Sequence, residues 1–216
     1  MLPLTLPARG RKPYRVLCLG AHSDDIEIGC GGTILRFLAE RPTDVHWVVF
    51  SASPVRAREA RKSASLFLRR ARRATVVIRR FRDGFFPAQF AAIKAEFEKL
   101  KKRISPDLVF CPSRRDAHQD HRTVAELVWN TFRDHLILEY EIAKYDGDLG
   151  QPGLFVPLDE ETCRRKIRLL RETFRSQADR QWFREDAFWS LLRLRGIEAN
   201  SPTTFAEAFH CRKALL

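Results

Sequence analysis

Two short blocks, "AHSDD" (21–25) and "AHQDH" (117–121), hold the residue types best suited to chemistry. They offer His22, Asp24, Asp25, His118, Asp120 and His121, including three of the chain's six histidines. Imidazole and carboxylate together form a common donor set of catalytic zinc, which takes three protein ligands and leaves a position open for water. Two residues three apart in one loop, plus a histidine from another strand end, meet that requirement. Iron(II) fits the same donors, because ligand type alone discriminates weakly. Either block taken singly also reads as helix capping, since aspartate accepts hydrogen bonds at a helix start and favours its positive end. Capping alone gives no reason for both blocks to follow apolar, strand-like runs.

Other chemistries fit less well. The chain has no GxSxG nucleophile elbow and no HExxH helix. Its glycines at 29, 31 and 32 miss the GxGxxG spacing, because position 34 is Ile, so a dinucleotide fingerprint is absent. They are expected to allow close backbone packing at a turn into a helix. Five cysteines, widely spaced and with no CxxC pair, argue against both a disulfide framework and a cysteine-bound zinc. Cys18 and Cys111 lie in apolar runs, as small buried hydrophobes do.

The elements that must position the two blocks alternate along the chain. Strands are expected at 14–20, 45–52, 75–81, 106–113 and 136–145, and helices at 32–40, 54–73, 87–104 and 121–135. Such alternation predicts an α/β, Rossmann-like, mostly parallel sheet with helices on both faces. Ligands in these sheets gather at the carboxyl ends of the strands, where both blocks fall. After 150 a loop or short strand, helices over 159–175 and 180–194 and a late strand are expected. No linker, repeat or low-complexity tract divides residues 1–216, which are read as a single domain.

At this point the chain resembles a family, the PIG-L/LmbE-like zinc-dependent N-acetylglucosaminyl deacetylases. That family pairs an "AHPDD" motif after its first strand with an "HPDH" motif after a later one. Here they stand as "AHSDD" (21–25) and "HQDH" (118–121). Weaker likenesses extend to "RAREARKSASLFL" (56–68), "FRDGFFP" (81–87), "SQ" (176–177) and "AEAF" (206–209). The resemblance implies that His22, Asp25 and His121 bind Zn²⁺ and that Asp24 is the general base. It also implies that His118 stabilises the oxyanion with Asp120 holding it in orientation, and that Arg56, Glu59 and Asp83 face the substrate pocket. The mycothiol-pathway branch carries a tyrosine two residues before the first histidine of the second motif. This chain has Asp116 there, so substrate and chemistry are not carried over from that branch.

Elementary chemistry agrees with these roles. A bound Zn²⁺ lowers the pKa of water towards ~7, an adjacent carboxylate can take the proton, and attack on an amide builds an oxyanion that needs a donor. A protonated His118 paired with Asp120 could donate to the oxyanion and to the leaving amine. Asp83 precedes Gly84, and Asp-Gly is first of all a turn. Glu27 reads either as a support to the metal site or as a first-turn helix acid. His46, His135 and His210 lie in or beside apolar runs and read as structural. Phe85-Phe86 and Phe188-Trp189 could flank a sugar or fill the core.

The expected function is zinc-dependent removal of an N-acetyl group from an N-acetylglucosamine-type amino sugar, carried on a nucleotide, a lipid or a pathway intermediate. Hydrolysis of another small amide is the neighbouring alternative. The net charge of +12, with eleven basic residues and only Glu59 opposing them between Arg56 and Arg82, suits an anionic substrate. It also raises a rival from another class, a basic nucleic-acid-binding protein. That rival needs a recognisable reader motif, which is missing, and leaves the His/Asp blocks unexplained. No apolar run is long enough to span a bilayer, and "MLPLTLPARGRKPY" lacks the pattern of a signal peptide. The expected location is the cytoplasm, and a homo-oligomer is left open.

Overall fold

The computed structural model describes residues 2–7, 10 and 12–215. Strands β1 (Tyr14–Gly20), β2 (Thr43–Val49), β3 (Arg73–Ile78), β4 (Leu108–Pro112) and β5 (Leu136–Tyr140) alternate with helices α1 (Asp25–Glu40), α2 (Pro54–Phe67), α3 (Phe90–Arg103) and α4 (Gln119–Thr131). Strand β6 (Leu154–Leu158), helices α5 (Glu160–Thr173) and α6 (Glu185–Glu198), and strand β7 (Phe205–His210) follow. They build one seven-stranded sheet in the order β3-β2-β1-β4-β5-β7-β6. The first five strands are parallel, and β7 runs antiparallel between β5 and β6. The expected α/β class is the observed one.

Alternation along β1 shows why both faces are covered. Val16 and Cys18 join one core cluster, with Ile34, Leu38, Phe67 and Ile167 from α1, α2 and α5. Leu17 and Leu19 join the other, with Phe97, Val124 and Val128 from α3 and α4. Successive side chains point to opposite faces of a strand, so an unbroken apolar run requires helices on both. The chain builds outward from β1 to β3, then returns to place β4 on the other side of β1. That reversal opens a crevice at the carboxyl ends of β1 and β4.

The start of α1 differs from the expectation. It begins at Asp25 rather than at Gly32, and it is broken at Cys30, where φ is −143° and ψ is 15°. A helix that restarts after a break has N–H groups that meet no carbonyl in a preceding turn, and a buried unpaired group costs about 1–3 kcal/mol. Glu207 of β7 accepts from Gly32 N at 2.8 Å and Thr33 N at 2.6 Å, while Lys166 of α5 donates to Ile28 O at 2.6 Å. Lys166 and Glu207 are themselves paired at 2.6 Å and buried. The glycines permit close approach: a Cβ on Gly29 would collide with the Tyr140 ring, and one on Gly32 would lie 2.5 Å from Leu158.

Other boundaries shift as well. Helix α2 stops at Phe67 instead of running to 73, so Arg72 lies in a turn and Arg73 opens β3. The strand expected over 136–145 ends at Tyr140, and residues 141–153 form the connection to β6. Helix α6 starts at Glu185 and ends at Glu198, later than expected at both ends. Capping fixes other starts: Ser53 accepts from Arg56 N at 3.3 Å with Pro54 next in line, and Asp159 accepts from Thr162 N at 2.6 Å.

Candidate active site

The two motifs meet in the crevice between β1 and β4. The loop after β1 delivers His22 and Asp24, and Asp25 opens α1; the loop after β4 delivers Asp116 and His118, with Asp120 and His121 in the first turn of α4. His22 Nδ1 lies 3.1 Å from His121 Nε2. Asp25 Oδ2 lies 3.4 Å from His121 Nε2 and 3.7 Å from His22 Nδ1. A tetrahedral centre with bonds of 2.0–2.1 Å to nitrogen and oxygen has edges of about 3.3 Å. The three atoms are therefore spaced as one face of such a centre. The backbone N–H of His22 donates to Asp25 Oδ2 at 2.7 Å and locks the carboxylate in place.

The outer nitrogens of both rings are held by carboxylates. Asp116 Oδ2 is 2.8 Å from His121 Nδ1. On the other ring, His22 Nε2 is 3.3 Å from Asp120 Oδ2 and 3.0 Å from Asp83 Oδ1. An outer N–H donated to a carboxylate fixes the tautomer and turns the other lone pair inward. Two inward lone pairs and a carboxylate oxygen then face one another and need a cation among them. Protons respond to that demand. Burial lowers the pKa of both histidines, but Asp25 and the flanking carboxylates outweigh it, lifting His121 to about 9 and His22 well above its ordinary value. Burial likewise opposes ionisation of Asp25, yet His121 and His22 hold its pKa well below the usual range. The residues thus fit a divalent cation.

His118 brings a third imidazole nitrogen within 4.8 Å of those of His22 and His121, and His22, Asp83 and Asp120 form a second set with the same spread. The expected pairing of His118 with Asp120 is not what the structure contains. Asp120 Oδ1 accepts from Phe86 N at 3.0 Å and Oδ2 from Gly84 N at 2.7 Å, so its carboxylate ties the 84–86 loop to His22. Only the Asp120 backbone touches His118, donating to Nδ1 at 3.2 Å as the helix cap. Nδ1 is therefore an acceptor and Nε2 carries the proton. Burial, then positive charge at His121 and His22, lowers the His118 pKa, which favours a neutral donor over the protonated acid expected.

Asp24 is buried beside this cluster. Its Oδ1 accepts from the Arg56 guanidinium at 2.6 Å, and its Oδ2 is buried with no hydrogen-bond partner. Burial raises its pKa and Arg56 pulls it back, a suitable setting for a base near neutral pH. Arg56 also lies over the Phe174 ring, 5.9 Å from its centroid. Glu59 corrects another expectation. Both of its oxygens are taken by Ser176, from N at 2.9 Å and Oγ at 2.6 Å, so it clamps α2 to the 175–177 turn rather than presenting a carboxylate to substrate. Asp83 stands at the turn that Asp-Gly implies, and its contact is with a ligand ring. Gly84 turns with φ of +78°, and the exposed Asp83 side chain reaches His22. Glu27 is fully buried beneath the site, its pKa driven well above the carboxylate range by burial. Phe86 and Phe188 are core residues, while Phe85 is exposed beneath the Arg82 guanidinium. His46, His135 and His210 belong to neither ligand set.

Asp116 is the functional residue that the sequence left without a role. Its signal was an aspartate five positions before His121, at the spot where one family branch has tyrosine.

The sequence model of the PIG-L family, described as GlcNAc-PI de-N-acetylase, matches residues 17–132. Among solved structures, the conserved protein TT1542 from Thermus thermophilus superposes with a TM-score of 0.72 at 20% identity, covering 93% of this chain and 95% of its own. N,N'-diacetylchitobiose deacetylase from Pyrococcus horikoshii gives 0.69 at 22% identity, covering 92% and 83%. GalB, the 4-carboxy-2-hydroxymuconate hydratase of Pseudomonas putida, gives 0.74 at 16% identity, covering 94% and 98%. At these identities the superpositions establish a shared fold. One neighbour being a hydratase shows that the fold alone does not choose the reaction. The family match includes both motifs and more than half of the chain, and the protein belongs to the PIG-L family of hydrolytic de-N-acetylases.

Proposed function

We propose that this protein is a zinc-dependent hydrolase that removes the N-acetyl group from an N-acetylglucosamine-type amino sugar. The observation that carries the reading is the triangle of His22 Nδ1, Asp25 Oδ2 and His121 Nε2, with sides of 3.1, 3.4 and 3.7 Å. These three residues would hold the metal. Bound zinc supplies Lewis acidity, lowering the pKa of water towards about 7 and polarising a carbonyl. Iron(II) would serve the same donors.

The remaining roles belong to the chain's own side chains. Asp24 takes the proton of the attacking water at its unpartnered Oδ2, while Arg56 on Oδ1 favours the ionised form. His118 donates its Nε2–H to the oxygen on which negative charge develops, worth several kcal/mol where water is excluded. Breaking the C–N bond releases acetate and an amine, and the proton held by Asp24 passes to the amine nitrogen. Asp116 and Asp120 keep the two ligand imidazoles oriented, and Asp83 adds a second acceptor on His22.

The reading takes residues 1–216 as one domain, supported by the single sheet to which every strand belongs. No helix among the described residues is long and apolar enough to cross a membrane. We place the protein in the cytoplasm, acting on a small sugar that carries an anionic group, with self-association left open. The likeness to a chitobiose deacetylase supports a small acetylated sugar. Hydrolysis of a different small amide would use the same machinery. The test is metal analysis of the purified protein together with acetate release from N-acetylglucosamine derivatives. Metal-free, inactive protein that binds DNA would replace this reading with the nucleic-acid-binding one.

A further inference from the structure

The ligand His121 depends on Asp116, and Asp116 in turn sits in a charged network contributed by a distant segment. Lys144, in the 141–153 connection between β5 and β6, places its ammonium 3.0 Å from Asp116 Oδ1. The same ammonium lies 2.7 and 2.8 Å from the two oxygens of Asp148 and 3.7 Å from Asp146 Oδ2. Asp148 Oδ2 also accepts from Ala117 N at 2.5 Å, so the connection grips both the Asp116 carboxylate and the next backbone N–H. The side chains of Lys144 and Asp116 are 10% and 3% exposed, which makes this an interior ion pair.

Asp116 has four other contacts, one of them from the Arg122 guanidinium to its backbone carbonyl at 2.9 Å. Oδ1 accepts from His118 N at 2.8 Å, Oδ2 meets His121 Nδ1 at 2.8 Å, and its own N–H donates to Ser113 O at 3.2 Å. Without a cation, a carboxylate this deeply buried would be anchored only by one amide and one imidazole N–H. A buried carboxylate that loses its cationic partner turns towards water. That movement frees the His121 ring to rotate or change tautomer and misdirects Nε2.

We propose that Lys144 is a positioning residue of the metal centre, fixing Asp116 so that Asp116 fixes His121. The inference rests on the metal-binding reading above. Lys144 is outside the 17–132 segment that matches the family model, and the second motif does not encode it. Burial lowers the Lys144 pKa, but Asp148 and Asp116 together lift it above its ordinary value, so the ammonium is charged at neutral pH.

The alternative is that Lys144 merely anchors its own loop through Asp148. A double-mutant cycle separates the two, because residues acting through one another are not additive. Zinc affinity would be measured by competition with a chelating dye for the wild type, K144M, D116N and D116N/K144M. Loss of a group that orients a ligand costs about 10–100-fold in metal affinity. K144M should lower affinity on the order of tenfold, D116N at least as much, and the double variant no more than D116N. Two-bond ¹H–¹⁵N spectra of the zinc-loaded protein should show His121 in a single Nδ1–H tautomer in the wild type and mixed in K144M. Thermal melts check folding, and K144Q replaces K144M if the latter unfolds. Wild-type affinity in K144M or K144Q, or losses that multiply in the double variant, would overturn the role of Lys144. Failure of the wild type itself to bind zinc would overturn the metal centre, and this inference with it.

Discussion

Asp24 and Asp25 are neighbours in sequence with opposite environments, and that contrast makes their roles separable. Asp25 points at two imidazoles that favour its charge, while Asp24 has one arginine on Oδ1 and an empty, buried Oδ2. Asp24→Asn is expected to retain metal and lose ~10²-fold or more in turnover, the scale of general-base removal. Loss of metal in that variant would show that the two aspartates are reversed. Alanine at His22, Asp25 or His121 should instead strip the metal, with His135→Ala as the unaffected control in the same elemental analysis. A cation among these three side chains also ties binding to folding, since a ligand taken up only by the native state stabilises it. Chelation should lower the melting temperature of the wild type and leave His121→Ala unmoved, and zinc should restore the wild type alone. Both histidine–aspartate blocks were legible in the sequence because their spacing is unusual and local. The acceptors that orient the rings were not, because Asp116 reaches His121 across a turn and Asp120 turns away from the adjacent His118.

Helix α1 carries the ligand Asp25 at its first position, so its break at Cys30 bears on the site. The segment before the break is held by Lys166 at Ile28 O, and the segment after it by Glu207 at Gly32 and Thr33. Removing one member of a buried ion pair costs about 3–5 kcal/mol, because the other charge is stranded. Lys166→Met should therefore destabilise the protein by roughly that amount in urea titration. The further change Glu207→Gln should recover part of the loss by removing the stranded charge. An unchanged denaturation midpoint in Lys166→Met would mean that the break needs no support. Gly29→Ala should also destabilise, by about 1–3 kcal/mol, since the added methyl meets the Tyr140 ring. Periodicity located most elements, but the glycines at 29–32 looked like a turn before a helix, and only the partners on α5 and β7 make a broken helix tolerable. Helix α2 is shorter than its sequence implies for a related reason. Alanine and arginine keep helical preference high through 73, whereas the pairing of Arg73 with Asp44 in the β2–β3 register claims that residue for the sheet.

Over the whole molecule, the basic stretch divides between the two ends of the sheet. Arg72 and Arg73 stand at the amino end of β3, where Arg72 grips Asp44 at 2.7 and 2.5 Å, so they are remote from the site. Arg56 and Arg58 open α2 beyond the carboxyl end of β2, and Arg80 and Arg82 follow the carboxyl end of β3 just before Asp83. Charge counting along the sequence could not make this division, because it follows from strand direction. Arg56 is committed to Asp24, which leaves Arg58, Arg80 and Arg82 to meet a charged substituent on the sugar, and Arg58 and Arg82 sample both segments. A purely solvated face would give no discrimination between neutral and anionic substrates. The two cases differ in salt, because exposed charges are screened as the Debye length falls from about 10 Å at 0.1 M to about 3 Å at 1 M. The comparison is kcat/KM for N-acetylglucosamine and for its nucleotide diphosphate conjugate at both ionic strengths, in the wild type and in Arg58→Ala/Arg82→Ala. The wild type should prefer the conjugate at low salt and lose most of that preference at high salt. The double variant should behave at low salt as the wild type does at high salt, with kcat/KM for the neutral sugar little changed. Equal values for the two substrates at low salt would leave these arginines as surface charge and the natural substrate uncharged.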